Sequence, residues 1–227
     1  MAVNYLPDFD VKTLNNYQPG GVTNPAPDEY VGELSVINQQ ISLDQRPRDQ
    51  IDYVDDTFTF RSERKYQEKN ILVILESPHR FEFDASGNPI ALMMGKTGNL
   101  FFDYFVKHLA KSSLPLVDGL YNLIVCNAVQ YQTSCGLNPI NRTIRDQNWL
   151  EIYHEKGGEQ DFKKRIFAIK PRYTINLCTG GRNPNGLRSQ ISQSLDAFGL
   201  KQGPHYVEGD HPASWYVRRE DDYRYIH

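Results

Sequence analysis

Residues 71–79 read Ile71-Leu72-Val73-Ile74-Leu75-Glu76-Ser77-Pro78-His79, and the loop after them runs to Gly95-Lys96-Thr97-Gly98-Asn99-Leu100. Five consecutive apolar residues rich in β-branching predict a strand buried on both faces, as in a parallel sheet. Pro78 lacks a backbone donor and ends it. Glu76 then lies at the carboxyl tip of a central strand, the edge at which open α/β sheets bind ligands, and is the first candidate for catalysis. Capping the following turn is the plainer use for the same side chain.

Outward from this strand the alternation repeats. Thr97 is placed to cap a helix in which Leu100, Phe101, Tyr104, Phe105, His108 and Leu109 share one face. Residues 120–129 form a second apolar run whose strand ends at Asn127. Residues 149–153, then Phe162, Ile166 and Ile169, mark helical pieces before Pro171. Residues 173–178 predict a third strand, closed by Thr179-Gly180-Gly181. Leu187, Ile191, Leu195 and Phe198 recur at helical spacing with Gly199 as the stop, and residues 204–208 give a short fourth strand that leads to Gly209-Asp210-His211-Pro212-Ala213-Ser214-Trp215. The expected fold is a three-layer α/β/α domain over residues 61–227 with a central, mostly parallel four-stranded sheet. Residues 61–69 read as a helix leading into its first strand. Residues 1–60, rich in Asn, Pro, Gln and Asp, read as an acidic, extended N-terminal arm with one strand or short helix, since only short segments such as 34–41 show apolar alternation, touching the body through Tyr17, Tyr30, Val31 and Ile37.

Composition narrows the function classes. The chain of 227 residues has no apolar run near bilayer length, and its first residues show no charged-then-apolar signal pattern, so a cytoplasmic protein without membrane attachment is expected, as a monomer. Cys126, Cys135 and Cys178 are widely spaced and read as small core residues rather than redox or cluster ligands. His108, His154, His205 and His227 have no ligand spacing among themselves, so no metal is expected. The net charge of −3 hides an asymmetry: residues 1–60 hold three basic against ten acidic residues, whereas the remainder holds 22 basic and 18 acidic. A mildly basic body is compatible with a polyanion partner.

Gly95-Lys96-Thr97 at a helix start suggests a phosphate-binding P-loop, but that motif needs a glycine where this chain has Ile90. A different set of motifs fits in order and spacing. Leu75-Glu76-Ser77-Pro78-His79, Gly95-Lys96-Thr97-Gly98-Asn99-Leu100, Cys126-Asn127-Ala128-Val129 and His211-Pro212-Ala213-Ser214-Trp215 resemble the four motifs of the uracil-DNA glycosylase superfamily, nearest to its family 4. The resemblance covers about 145 residues and implies catalytic roles for Glu76, Asn127 and His211. Glu76 would orient a water or stabilise an oxocarbenium-like sugar. Asn127 would match the edge of a flipped pyrimidine, and His211 would donate to the base oxygen that gains charge. Ser77, Pro78, His79, Met93 and Met94 would line the substrate pocket. Trp215 would wedge into the base stack, with Arg218 and Arg219 at phosphates, and Lys96, Ser214 and the amides of Gly180 and Gly181 as further DNA contacts.

Departures from the family shape the expected substrate. The four cysteines of the family 4 iron-sulfur cluster are missing, so no cofactor is expected. Leu75 replaces a glycine, Ser77 stands where family 1 has its catalytic Asp, and Met93-Met94 replace a uracil-stacking aromatic residue. The adaptable methionines suit a base other than uracil. The expected activity is that of a monofunctional DNA glycosylase acting on a modified pyrimidine, such as the glucosylated hydroxymethylcytosine of phage DNA, in antiviral defence. Excision of uracil or deaminated bases and a non-catalytic DNA- or nucleotide-binding module are the alternatives. Singly, Asn127 as a turn cap, His211 as a surface residue and Trp215 as core fit the same sequence.

Overall fold

The computed structural model describes residues 24–47, 69–133, 142–180, 186–201 and 203–215. At its centre is β3 (Asn70–Leu75), flanked on both sides by parallel partners: β4 (Gly119–Asn127) on one and β5 (Tyr173–Asn176) on the other, with β6 (Tyr206–Glu208) beyond β5. Its residues 71–75 are buried, as a strand with covered faces requires. The sheet is mixed and has six strands rather than the expected four, in the order β2-β1-β4-β3-β5-β6. The additional pair is a hairpin, β1 (Glu29–Ile37) and β2 (Gln40–Gln45), laid antiparallel against β4.

Part of the expected arm is therefore an edge of the sheet. Tyr30 and Val31 are buried there as anticipated, but Ile37 is 61% exposed at the hairpin turn, and Tyr17 lies outside the described residues. The hairpin was hard to foresee because its turn, Asn38-Gln39, carries neither glycine nor proline; both residues take positive φ. Helix expected over residues 61–69 falls, but for Lys69, outside the described residues.

Successive residues of β3 serve opposite layers. Ile71, Val73 and Leu75 join a cluster with Phe101, Phe105 and Leu109 of α1 (Gly95–Ala110), whereas Leu72 and Ile74 pack with side chains from the other face. That second layer holds α2 (Arg142–Leu150), a π-helical turn (Glu151–Glu155), α3 (Gly158–Ile169) and α4 (Leu187–Ala197), through Trp149, Ile152, Phe162, Ile166, Ile191 and Leu195. Helix α1 starts at Gly95 with Met94 at its N-cap, so Thr97 lies inside the first turn and is not the cap. Both glycines of this start are required. Gly95 has φ +76°, and a Cβ on Gly98 would lie 1.4 Å from the Met93 carbonyl oxygen.

Candidate active site

The sheet order fixes where a ligand can enter. The connection leaving β3 runs over one face through α1, and that leaving β4 runs over the other through α2 and α3. A crevice opens where neighbouring strands send their connections to opposite sides and in opposite directions along the sheet, here between the carboxyl ends of β3, whose chain goes on to β4, and β5, whose chain goes on to β6 through α4. Leu75 is paired with Asn127 of β4. Glu76, one residue on, therefore stands at the mouth of this crevice opposite Thr179, which follows β5, and Asn127 ends the strand on the other side of β3.

Glu76 is 6% exposed and its carboxylate is held from several elements. Oε1 accepts a 2.5 Å hydrogen bond from the Thr179 hydroxyl, and Oε2 accepts one from the Thr179 backbone N–H at 3.0 Å. Arg145 of α2 brings Nη1 to 3.6 Å from Oε1, and His211 brings Nε2 to 3.7 Å from Oε2. The main-chain carbonyl of Glu76 accepts from Trp149 Nε1 at 2.7 Å and from the Val129 N–H at 3.0 Å. Burial raises the carboxyl's pKa, but attraction to His211 and Arg145 and the Thr179 hydroxyl bond together outweigh it and leave the group below its ordinary value. At neutral pH Glu76 is a desolvated anion with two cationic or protonatable neighbours.

The loop after β6 aims His211. Its Nδ1 accepts the Ala213 N–H at 3.2 Å as the cap of a short 3-10 turn, Pro212–Ser214. A neutral ring therefore carries its proton on Nε2, the nitrogen that faces Glu76. His79 is close enough for a His211 charge to act on it; burial first, then Arg80 and His211, lower its pKa.

Asn127 is buried, and among the described residues its Oδ1 has no hydrogen-bond partner. A buried acceptor left open costs free energy unless something fills it, so this atom marks a place for a donor. The backbone behind it is fixed by Arg165 of α3. Arg165 Nη2 donates to the carbonyls of Asn127 and Ala128 at 3.0 and 3.2 Å, Nη1 donates to Asp28 at 2.7 Å and Cys126 Sγ at 3.0 Å, and Nε donates to Asp161 at 2.7 Å.

The loop from His79 to Met94 folds around two carboxylates. Glu82 accepts the His79 N–H at 3.1 Å and is hydrogen-bonded by the backbone at Met93 and Met94, while Glu29 of β1 accepts the Leu92 N–H at 2.5 Å. Burial, with Glu29 nearby, pushes Glu82 up to about 8 despite those hydrogen bonds. The folded state thus holds a proton that the unfolded chain releases near 4.5, so stability falls as pH rises from there to about 8. In Glu82→Gln that slope should flatten, giving a variant less sensitive to alkaline pH when melting temperature is followed from acid to base.

The other sequence candidates scatter. Ser77 shares a 2.7 Å hydrogen bond with Thr133, Pro78 is buried, Met93 is buried in the core with φ +56°, and Met94 is half-buried at the helix cap. Lys96 is exposed in the first turn of α1. Gly180 is packed so that a Cβ would lie 2.7 Å from the Arg188 guanidinium carbon, and Ser214 donates to the His211 carbonyl at 2.7 Å. Gly181, Arg218 and Arg219 fall outside the described residues. Trp215 requires correction as a wedge. It is 6% exposed, stacks on His108 with ring centroids 4.3 Å apart and donates Nε1 to the Asp210 carbonyl at 2.9 Å, so the indole is a core side chain.

Thr179, Arg145, Arg165 and Asp28 were not foreseen. Thr179 had a signal, since it follows a strand that ends at the same edge; the two arginines lie in polar helical sequence where nothing distinguishes them from surface cations. Among the described residues no group of three or more His, Cys, Asp or Glu is arranged to hold a metal ion, and no helix is long and apolar enough to cross a membrane. Comparison with family models, with curated proteins and with solved structures found no match for this chain.

Proposed function

We propose that the protein is a monofunctional DNA glycosylase that everts a modified pyrimidine nucleotide and hydrolyses its N-glycosidic bond to leave an abasic site, acting in the cytoplasm as a monomer. The observation that carries this reading is the desolvated Glu76 anion at the end of β3, in contact with His211 and beside the strand that ends in the open acceptor of Asn127. Bond cleavage builds positive charge on the sugar and negative charge on the departing base. Glu76 opposes the first, directly or through a water that it orients. His211 Nε2–H serves the second by donating to the base oxygen. Asn127 Oδ1 takes an N–H from the pyrimidine edge, which favours a base that presents an amino or imino donor there.

Hypermodified cytosine, such as glucosylated hydroxymethylcytosine in phage DNA, is the substrate class we favour, with uracil or a deaminated base as the second. One observation favours a non-catalytic DNA-binding module instead: both Glu76 oxygens already accept from Thr179, which ties β3 to β5. Duplexes carrying uracil, hydroxymethylcytosine or its glucosylated form, incubated with the protein and treated with alkali, separate these readings. Strand breaks at one modified base support the glycosylase and identify its substrate; intact strands on all three, with DNA bound, support the module. Arg145→Gln adds a kinetic test. Removing that cation lets the Glu76 pKa rise, so the acid limb of the rate profile should move to higher pH, with single-turnover base release as the readout.

A further inference from the structure

With Trp215 in the core, the crevice needs another group to meet the base stack, and Phe81 has the required placement. It lies in a 3-10 turn, Arg80–Glu82, five residues after Glu76, and is 52% exposed. The turn is a rigid mount. His79 caps it through Nδ1, and Glu82 closes the cap by accepting the His79 N–H. The Phe81 ring lies 5.0 Å from the His79 ring, so it borders the Glu76, His211 and His79 group. It also packs on the backbone of the α1 start, where a Cβ on Gly95 would come within 3.0 Å of it. The Arg80 guanidinium stands 4.7 Å from the ring centroid, and Lys96 is exposed in the turn that Gly95 opens.

We propose that Phe81 is a stacking platform for the nucleobase next to the everted one, with Arg80 and Lys96 meeting the phosphates on either side. The inference rests on the glycosylase reading. An aromatic face bordered by cations suits a single nucleic-acid strand, because stacking accepts any base and the cations follow the backbone. A ring half open to solvent suits a neighbouring base better than the everted one, which a glycosylase encloses.

Binding of fluorescein-labelled single-stranded and duplex DNA by the full chain tests this through anisotropy, which needs no excision. Stacking on one base is worth a factor of roughly 5 to 150 in affinity, so Phe81→Ala and Phe81→Leu should each weaken binding about ten-fold, while Phe81→Trp restores it. DNA should also change the emission of the indole in Phe81→Trp relative to the parent protein. Arg80→Gln should lower the dependence of affinity on salt. Melting temperatures of the Phe81 variants should stay near the parent, since the side chain is half in solvent. Equal binding by the Leu variant, or indole emission that DNA leaves unchanged, overturns the platform. Absence of base release by the parent protein, with these binding differences present, overturns the glycosylase reading alone.

Discussion

Glu76→Gln is expected to lower base release about 10³-fold in single-turnover assays while leaving the protein folded. Glutamine keeps the length of the side chain and an oxygen for the Thr179 hydroxyl, but it cannot oppose positive charge on the sugar. Its amide, then in the place of Oε2, also meets the Thr179 N–H and His211 Nε2 with a donor where an acceptor is wanted. The pH dependence of stability gives an independent check. Because the folded-state pKa of Glu76 is depressed, its ionised form contributes stability above the unfolded value, and that contribution is lost as pH falls through the folded value. The variant should therefore unfold less steeply in acid. Unchanged base release would remove Glu76 from the chemistry and leave it as a tie between β3 and β5.

Arg165→Met is expected to give the largest loss of stability, about 3–5 kcal/mol, seen as a fall in melting temperature of roughly 6–20 °C for a chain of this size. Burial works against the Arg165 charge, but Asp28, Cys126 and Asp161 hold the guanidinium protonated. Methionine fills similar space and abandons two buried carboxylates and the carbonyls of Asn127 and Ala128. Arg165→Lys should recover only part of the loss, since one ammonium cannot span partners on three sides. A melting point within a degree or two of the parent would show that Asp28 and Asp161 accept protons or water at little cost.

The central part of the fold was legible because burial on both faces leaves a plain signature: the run at 71–75 admits little except an inner strand, and Leu187, Ile191 and Leu195 admit little except a one-faced helix. The placing of Glu76, Asn127 and His211 at one edge of the sheet was legible for a related reason, as Asn127 ends a strand there and the other two follow one. Of the β1–β2 hairpin only the alternation at 34–41 was legible; neither the second strand nor the docking on β4 was. β1 is mostly buried while β2 alternates at the margin, and the surrounding Asn, Gln and Pro content outweighs that weak pattern. Trp215 shows a different limit. Position after His211-Pro212 suggests a wedge, but whether an indole faces solvent depends on His108 and Phe101, more than a hundred residues upstream. Arg145 and Arg165 likewise gain their roles only when helices dock, and no local period records that.

The groups that grip Glu76 lie at positions 129, 145, 149, 179 and 211, all downstream of it. A ribosome delivers all of them after Glu76, so a chain that has emerged only as far as β4 still lacks the Arg145, Thr179 and His211 side chains that neutralise and shield this carboxylate. Assembly of the centre thus waits for the loop after β6 to be made and docked.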